Sequence, residues 1–252
     1  MTKAHPRKSW HWIAAASASG WILWQFSHVQ SALQFYDVTI ARYLNSFVGQ
    51  NLLFDTYLSM LNSSFGDKIV VSGVSLIFVM HVSAARDPDQ LYQRGAFWTW
   101  VGCLFLLTSQ CQRLIEEIVA RPSPSYVLHD WNNLKKLYGF DVKVGNRDSF
   151  PSGHAAAYFF FGFMAFWHYR GMCYLLLSMA VVLPIGRVMT GAHWPSDIYL
   201  GSVPLALLLS ALAHETRLYR VFGLIELLYG KIGQKYYPKS FSWRLRFRRR
   251  LR

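Results

Sequence analysis

The sequence predicts an all-α membrane protein with six transmembrane helices, and three observations lead to that prediction. Of the 252 residues, 53% are hydrophobic and only 15% are charged, a balance that suits a membrane domain better than a soluble one. The apolar residues form runs close to the roughly 20 residues that a helix needs to cross a bilayer. The basic residues are concentrated at the two chain ends, which is typical of a cytoplasmic membrane face.

Six apolar runs are candidates for the membrane helices. They are Trp10–Phe26, Lys68–Val82, Phe97–Val119, His154–Trp167, Met172–Thr190 and Asp197–Ala213. The first run follows a basic leader, as in a signal peptide, but the Trp residues at its ends and the later runs favour an uncleaved helix. We therefore interpret residues 1–252 as a single membrane domain.

Two segments between these runs have a different character. Residues 28–67 carry apolar side chains three or four apart, as in "FYDVTIARYLNSFV", which predicts one or two helices lying in the membrane interface. Residues 120–150 form a loop rich in Pro, Asn, Lys and Asp. Loops of this length are usually functional or disordered.

The distribution of Lys and Arg predicts the orientation. Three precede the first helix, two lie between the second and third, one lies between the fourth and fifth, and eleven follow Ala213. With six helices, these seventeen of the 26 basic residues fall on one side, which is expected to be cytoplasmic. Residues 1–9 and 214–252 are then cytoplasmic ends, and the 120–150 loop lies outside. The tail "RLRFRRRLR" anchors this topology and suits anionic lipid, and nucleic acid is not an expected partner.

The residues with catalytic potential gather on the opposite side, in three separate loops. They are Arg121, Ser152, Gly153, His154, Arg187, His193 and Asp197. His193 and Asp197 are four residues apart, one helical turn, so the carboxylate can orient the imidazole and stabilise its cation. His193 is therefore a candidate nucleophile or base.

The other residues of this group suit a phosphate. His154 follows Ser152 and Gly153 at a helix start, where free N–H groups attract anions. Arg121 and Arg187 offer forked, permanently charged donors. Together the group predicts a phosphoryl-transfer site without a metal or other cofactor, in which one His attacks phosphorus and the other protonates the leaving oxygen. The three Cys residues have no spacing that suggests a zinc site or a disulfide framework.

This pattern resembles the signature of the type 2 phosphatidic-acid phosphatase (PAP2) superfamily. The matching residues are Arg121-Pro122, Pro151 to His154, and Arg187 with His193 and Asp197, while Gly186 stands where the family has Ser. The resemblance implies a PAP2-type bundle of six helices. It also implies that His193 is the nucleophile that forms a phosphohistidine, Asp197 its orienting partner and His154 the general acid. The implied phosphate-binding residues are Arg121, Ser152, Gly153 and Arg187.

One position departs from the family pattern. In the signature, six residues separate a Lys from Arg-Pro. This chain has Leu114 at that position, with Arg113 one residue too early. Glu116 and Glu117 lie at helical spacing from Arg113 and offer it nearby carboxylates. We therefore expect Arg113 to be a structural ion-pair residue, with a role as phosphate ligand as the alternative.

Within the superfamily, "NRDSFPSGH", "GRVMTGAHWPSDI" and "RPSPS" are most similar to a bacterial branch acting on lipid A and undecaprenyl diphosphate. Some members hydrolyse the 1-phosphate of lipid A, and one transfers a phosphate to it from undecaprenyl diphosphate. This chain keeps the Pro-Ser-Gly-His of the phosphatases but shares the missing Lys with the transferases, so the acceptor, water or a lipid, is open. The resemblance implies a multi-pass protein of the bacterial inner membrane, with both termini cytoplasmic and the site facing the periplasm.

Three alternatives are open at this point. Another lipid, phosphatidylglycerophosphate or phosphatidic acid, could be the substrate. A catalytically silent lipid-phosphate-binding protein would explain the missing Lys, but the retention of both His residues and of Asp197 argues against it. A haem-binding membrane protein could use paired His residues, although such ligands normally lie within a helix bundle and these lie at helix ends.

Overall fold

In the computed structural model the chain folds into α-helices joined by short turns and one longer loop. The structure describes residues 12, 15–17, 19, 27–144, 147–168, 170–215 and 218–236, and no strand occurs among them. The α-helices are α1 Ser27–Asn45, α2 Leu52–Leu61, α3 Ser64–Ser83, α4 Pro88–Val119, α5 Pro124–Val127, α6 Leu134–Tyr138, α7 Gly153–His168, α8 Arg170–Met189, α9 Val203–Glu215 and α10 Leu218–Tyr236. A π-helical segment, Asp197–Ser202, leads directly into α9.

The all-α prediction is confirmed for the described residues, and most of the expected boundaries are close to those observed. Helices α3, α7 and α8 begin and end within four residues of the second, fourth and fifth predicted runs. Helix α4 starts at Pro88, nine residues before the third run, because Asp87 caps its polar first turns by accepting from Gln90 N at 2.8 Å. The sixth run starts at Asp197 as expected, but its first six residues are π-helical. The first run, Trp10–Phe26, lies largely outside the described residues.

Among the described residues, one helix is both long and apolar enough to cross a bilayer, namely α3. Helix α2 and the apolar parts of α7, α8 and the π-helix with α9 are shorter. Most of the side chains of α3 are exposed, including Val71, Leu76 and Met80. An apolar surface of this kind is typical of a face that meets lipid or a partner. The crossing of the membrane by six helices remains a prediction.

Local signals explain where the helices near the site begin and end. Asn51 caps α2 by accepting from Leu53 N and Phe54 N, and Ser63 caps α3 by accepting from Gly66 N at 3.1 Å. Helix α4 ends at Ala120, which has a left-handed conformation with φ 43° and ψ 47°. This cap turns the chain sharply, so that Arg121 leaves the axis of α4 at once.

The helices alternate in direction, so that the chemically important helix ends meet at one end of the bundle. Asp67 at the start of α3 contacts His154 at the start of α7. Arg121, just after α4, contacts Asp197 at the start of the π-helix. At the opposite end, Trp98 of α4 donates to His81 near the end of α3 at 3.0 Å.

Two groups of buried side chains support this end of the bundle. The larger lies among α4, α7, α8 and the π-helix and includes Phe160, Trp194 and Ile198, each 1% exposed or less. The smaller joins Leu134 and Val142 of the 120–150 loop to side chains of α1, α2 and α8. The loop was expected to be functional or disordered, and in the structure its described residues include two short helices and pack against the bundle.

Helix α10 was not anticipated by the sequence analysis. It lies in the segment 214–252 that was predicted as a basic cytoplasmic end, and it packs against α4. Tyr229 lies over Gly95, where an added Cβ would approach its ring to 2.8 Å, and its hydroxyl is 2.8 Å from Thr99 Oγ1. Leu224, Leu228 and other apolar side chains of α10 are exposed. The helix includes Lys231 and Lys235, which belong to the predicted basic end.

Candidate active site

The first half of the candidate site is built around Arg121. Its Nη1 donates to Asp197 Oδ1 at 2.6 Å and to Ser196 Oγ at 2.7 Å. Its Nη2 donates to Asp37 Oδ2 at 2.7 Å and to Gln34 Oε1 at 3.1 Å. A guanidinium fixed on both of its terminal nitrogens loses little freedom when it meets a ligand, so Arg121 is preorganised.

Asp37 of α1 was not predicted, and it is the second carboxylate of this half. It is 3% exposed. Besides Arg121, it accepts from Ser196 N at 2.9 Å and from Ser196 Oγ. Because Ser196 immediately precedes Asp197, one carboxylate of α1 fixes both the arginine and the turn that leads into the π-helix. The "FYDVTIARY" segment, predicted as an interfacial helix, therefore contributes to the site.

His193 lies in the turn between α8 and the π-helix and is 6% exposed. Its Nδ1 is 2.8 Å from the carbonyl oxygen of Ser149. Since a carbonyl oxygen only accepts, Nδ1 carries the proton, and the lone pair of the neutral ring is on Nε2. Burial, and then the charge of Arg187, lower the pKa of His193 to about 3. The ring is therefore neutral at physiological pH and has a free basic nitrogen.

Asp197 was expected to orient His193 directly, and the structure gives a less direct arrangement. Its Oδ2 is 3.9 Å from His193 Nδ1, outside hydrogen-bond distance, and it accepts from Trp194 N at 2.7 Å. The Ser149 carbonyl is the direct partner of the ring. Asp197 is fully buried, so its charge lies beside the imidazole while its oxygens hold Arg121 and the turn that carries His193.

The start of α7 is tied to the first half of the site through Ser152. Ser152 is fully buried, its N–H donates to the carbonyl of Asp197 at 3.3 Å, and its own carbonyl accepts from Ser202 Oγ at 2.8 Å. Gly153 lies against α4, where an added Cβ would be 2.9 Å from Gln112 Oε1. The helix start is thus tied to the π-helix, and Gly at position 153 permits the close approach of α4.

The second half of the site converges on Asp67, which the sequence analysis also missed. His154 Nε2 is 2.7 Å from Asp67 Oδ1, and Arg187 Nη2 donates to the same oxygen at 3.1 Å. The other oxygen, Oδ2, pairs with Lys143 Nζ. Asp67 has a side chain that is 25% exposed, and it connects α3 with α7, with α8 and with the 120–150 loop.

Arg113, the alternative to the missing motif lysine, is exposed in the structure. Its charge acts on Glu116, and the interpretation of Arg113 as an ion-pair residue stays a prediction. Leu114, at the position of the family lysine, is 59% exposed. Helix α4 therefore directs neither side chain into the site described above.

The structure brings the seven predicted site residues to one end of the bundle in two connected groups. Arg121, Ser152 and Asp197 belong to the first, His154 and Arg187 to the second, and both Arg187 and His154 lie close enough to His193 to lower its pKa. Such an arrangement can bind a phosphate through its arginines and helix start, attack it with a neutral imidazole and protonate a leaving oxygen.

Comparison with known proteins connects this site to a family. Residues 96–222 match the PAP2 superfamily, and this range contains all seven predicted site residues. Lipid A 1-diphosphate synthase of Escherichia coli K12 is 34% identical over 114 residues, which cover 43% of this chain and 47% of that protein. Lipid A 1-phosphatase of Rhizobium johnstonii is 27% identical over 186 residues, which cover 63% of this chain and 71% of that protein.

A further relative is the lipid A 1-phosphatase of Rhizobium etli, which is 28% identical over 160 residues, 57% of this chain and 64% of that protein. The chain thus spans about half the length of the Escherichia coli relative and about two thirds of the rhizobial ones. No solved structure matches the chain.

Proposed function

Because the chain belongs to the PAP2 superfamily, we propose that it is a membrane lipid phosphatase or phosphotransferase. Its substrate is lipid A 1-phosphate, undecaprenyl diphosphate or both. The names of its relatives support both classes, since two name lipid A and another, from Escherichia coli K12, is a putative undecaprenyl-diphosphatase. The reaction takes place on the periplasmic face of the bacterial inner membrane and uses no metal. Both termini are cytoplasmic, and residues 1–252 form one membrane domain whose 120–150 loop is periplasmic.

One observation carries this proposal. The neutral, buried imidazole of His193, with Nδ1 bonded to the Ser149 carbonyl, lies beside Arg187 and His154 at the end of the bundle where Arg121 is fixed. A nucleophile, a proton donor and two guanidinium groups are the parts that phosphoryl transfer through a covalent histidine requires.

In the first step the substrate phosphate is bound by Arg121, Arg187 and the N–H groups at the start of α7. Nε2 of His193 attacks phosphorus, and a P–N bond forms while the P–O bond to the lipid breaks. The proton of His154 passes to the departing oxygen. The Ser149 carbonyl and the charge of Asp197 stabilise the resulting cationic ring of His193.

In the second step an acceptor hydroxyl, from water or from the phosphate of a second lipid, gives its proton to His154 and attacks the phosphohistidine. The P–N bond breaks, and His193 returns to its neutral form. The same residues therefore serve hydrolysis and transfer, and the acceptor depends on what reaches the site first.

The exposed apolar side chains of α3 support the placement in a membrane. Asp67 is in the first turn of this helix, and the rest of α3 extends away from the site. A head group bound near His154 would therefore leave its acyl or prenyl tail beside α3, within the lipid.

The test supplies purified protein in detergent with undecaprenyl diphosphate labelled on its terminal phosphate, with and without lipid A. We expect label in inorganic phosphate or on lipid A, and an acid-labile phosphoprotein on rapid quenching at neutral or alkaline pH. The His193→Ala variant should lose both turnover and label, by roughly 1,000-fold or more in kcat. Normal turnover in folded His193→Ala would refute the assignment, and binding without turnover in the unmodified protein would indicate a silent lipid-phosphate-binding protein.

A further inference from the structure

Lys143 lies in the 120–150 loop, eight residues before Pro151 and outside the motif, and its backbone is fixed against the bundle. Its N–H donates to the carbonyl of Asn62 at 3.0 Å. The preceding residue, Val142, is 6% exposed and packs with Leu58 and Met189. The ordered backbone places the Lys143 side chain beside the start of α3, where Asp67 is located.

Three nitrogen donors of the site meet at the two oxygens of the Asp67 carboxylate. His154 and Arg187 contact Oδ1, at 2.7 and 3.1 Å, and Lys143 contacts Oδ2. Because one small group receives all three contacts, the ammonium of Lys143 lies within a few ångströms of the proposed acid and of a proposed phosphate ligand. A phosphate is also an anion whose several oxygens accept from such donors.

The position that provides a lysine in the family signature is Leu114 here, and it is exposed, as is Arg113. Lys143 is not part of the motif, but among the described residues it supplies a positive charge to this half of the site. Arg187 and Lys143 bring two positive charges, and Asp67 brings one negative charge. A dianionic phosphate complements such a cluster better than the single carboxylate does.

We propose that Lys143 is a phosphate-binding residue of this enzyme and takes the place of the lysine missing from α4. This inference rests on the proposed function and deepens it. Asp67 positions the ammonium next to His154 and Arg187 by pairing with it, and Lys143 exchanges this partner for a phosphate oxygen of the substrate. The cation thus comes from a loop on the outer side of the bundle rather than from a membrane helix.

A purely structural role for Lys143, tying the loop to α3, makes a different prediction. The Lys143 side chain is 45% exposed, and an ion pair with that exposure contributes little to stability. Removal of a structural pair would therefore leave both the KM for the lipid and the inhibition constant for inorganic phosphate nearly unchanged, whereas removal of a phosphate ligand raises the two constants together.

The experiment compares full-length unmodified protein with Lys143→Ala, Lys143→Met, Lys143→Arg and the control Lys136→Ala, all in detergent micelles. Lys136 is exposed in the same loop. The readouts are phosphate release from undecaprenyl diphosphate, competitive inhibition by inorganic phosphate at constant ionic strength, and the melting temperature. We expect Lys143→Ala and Lys143→Met to raise both KM and the inhibition constant roughly 10-fold or more. Lys143→Arg should stay within about 3-fold of the unmodified protein, because it keeps the charge.

The inference is overturned if a folded Lys143→Ala or Lys143→Met protein keeps both constants within about 2-fold of the unmodified protein, or if Lys136→Ala produces the same change. Should the unmodified protein neither release phosphate from undecaprenyl diphosphate or lipid A 1-phosphate nor transfer it to lipid A, the proposed function fails. The anion site is then tested alone through the rise in melting temperature caused by inorganic phosphate. A rise that disappears in Lys143→Met supports the site, and an equal rise in both proteins refutes it.

Discussion

The position of Arg121 depends on a carboxylate from a distant helix. Asp37 accepts from Arg121 at 2.7 Å and from the backbone of Ser196 at 2.9 Å, and it is nearly inaccessible to solvent. Its loss would leave Arg121 with Asp197 as its remaining carboxylate partner in this group and the Ser196 N–H without an acceptor. Asp37 is therefore a positioning residue, which acts on the substrate through Arg121.

We expect Asp37→Ala to lower kcat/KM by roughly 10- to 100-fold, and to lower the free energy of unfolding by about 2 kcal/mol, because a buried donor loses its partner. Asp37→Asn keeps an acceptor for Ser196 but not the charge, so it should recover stability more than activity. Thr39→Ala, an exposed change on the same helix, is the control. Parallel kinetic and thermal measurements check this, and activity near normal for Asp37→Ala would refute the positioning role.

The sequence identified those site residues that a motif places at fixed spacing, and it missed those that other elements contribute. His154, Arg187 and His193 stand in short stretches whose residue types already describe phosphate chemistry. Asp37 and Asp67 are single acidic residues in otherwise apolar or small-residue segments. The only feature of the sequence that could have indicated a role for these two residues is a lone carboxylate on an apolar face. Lys143 has no such signal, because it is one of three lysines in the loop, with Lys135 and Lys136. Only the folded chain, through the contacts of Lys143 with Asn62 and Asp67, distinguishes its position.

At the scale of the element, the end of α4 combines an unfavourable backbone conformation with an important neighbour. Ala120 has a φ of 43°, in the left-handed region that glycine adopts at lower cost than residues with a Cβ. Its N–H closes the helix by donating to the carbonyl of Glu116 at 3.0 Å. Arg121 is the next residue, so the geometry of this cap determines the direction in which the Arg121 side chain leaves the backbone.

We expect Ala120→Gly to stabilise the protein by about 0.5–1 kcal/mol, because glycine relieves the left-handed conformation at this exposed cap. Ala84→Gly is the matched control: Ala84 follows α3 with an ordinary φ of −73°, and the same substitution should be neutral or destabilising there. Thermal unfolding in detergent, followed by circular dichroism, measures both. A lower melting temperature for Ala120→Gly than for Ala84→Gly would contradict the argument.

The helical elements could be predicted where apolar runs are long, and less well where tertiary contacts determine the structure. Helix α4 begins in a polar segment because Asp87 caps it there. An apolar run predicts only the part of the helix from Phe97 onwards. The π-helical segment begins at Asp197, whose carbonyl accepts from the N–H of Ser152 just before α7. A contact between residues so far apart in sequence cannot be predicted from the local pattern. The many basic residues after Ala213 predict a charged tail and conceal the helical periodicity of α10, in which Tyr229 and its neighbours form an amphipathic face.

At the scale of the whole molecule, the alternating helix directions place the site and the end of α3 on opposite ends of the bundle. The 17-to-9 bias of Lys and Arg predicts that the site end is periplasmic. Single cysteines test this in a background where Cys103, Cys111 and Cys173 are replaced. A membrane-impermeant thiol reagent should label Lys136→Cys in intact cells and Ala84→Cys only after permeabilisation. The reverse pattern would place the site in the cytoplasm.

The backbone hydrogen bond between Ser149 N and the carbonyl of Arg121, 2.7 Å long, closes the 120–150 loop at its base. Both ends of the loop stay together whatever its interior length, since loop closure costs little more for each added residue. The loop can therefore be replaced by another loop without a change in the positions of its two ends. Its replacement by a loop from a relative would change the surface presented to a sugar or diphosphate head group, and the cation at position 143, while His193 and Arg121 keep their places.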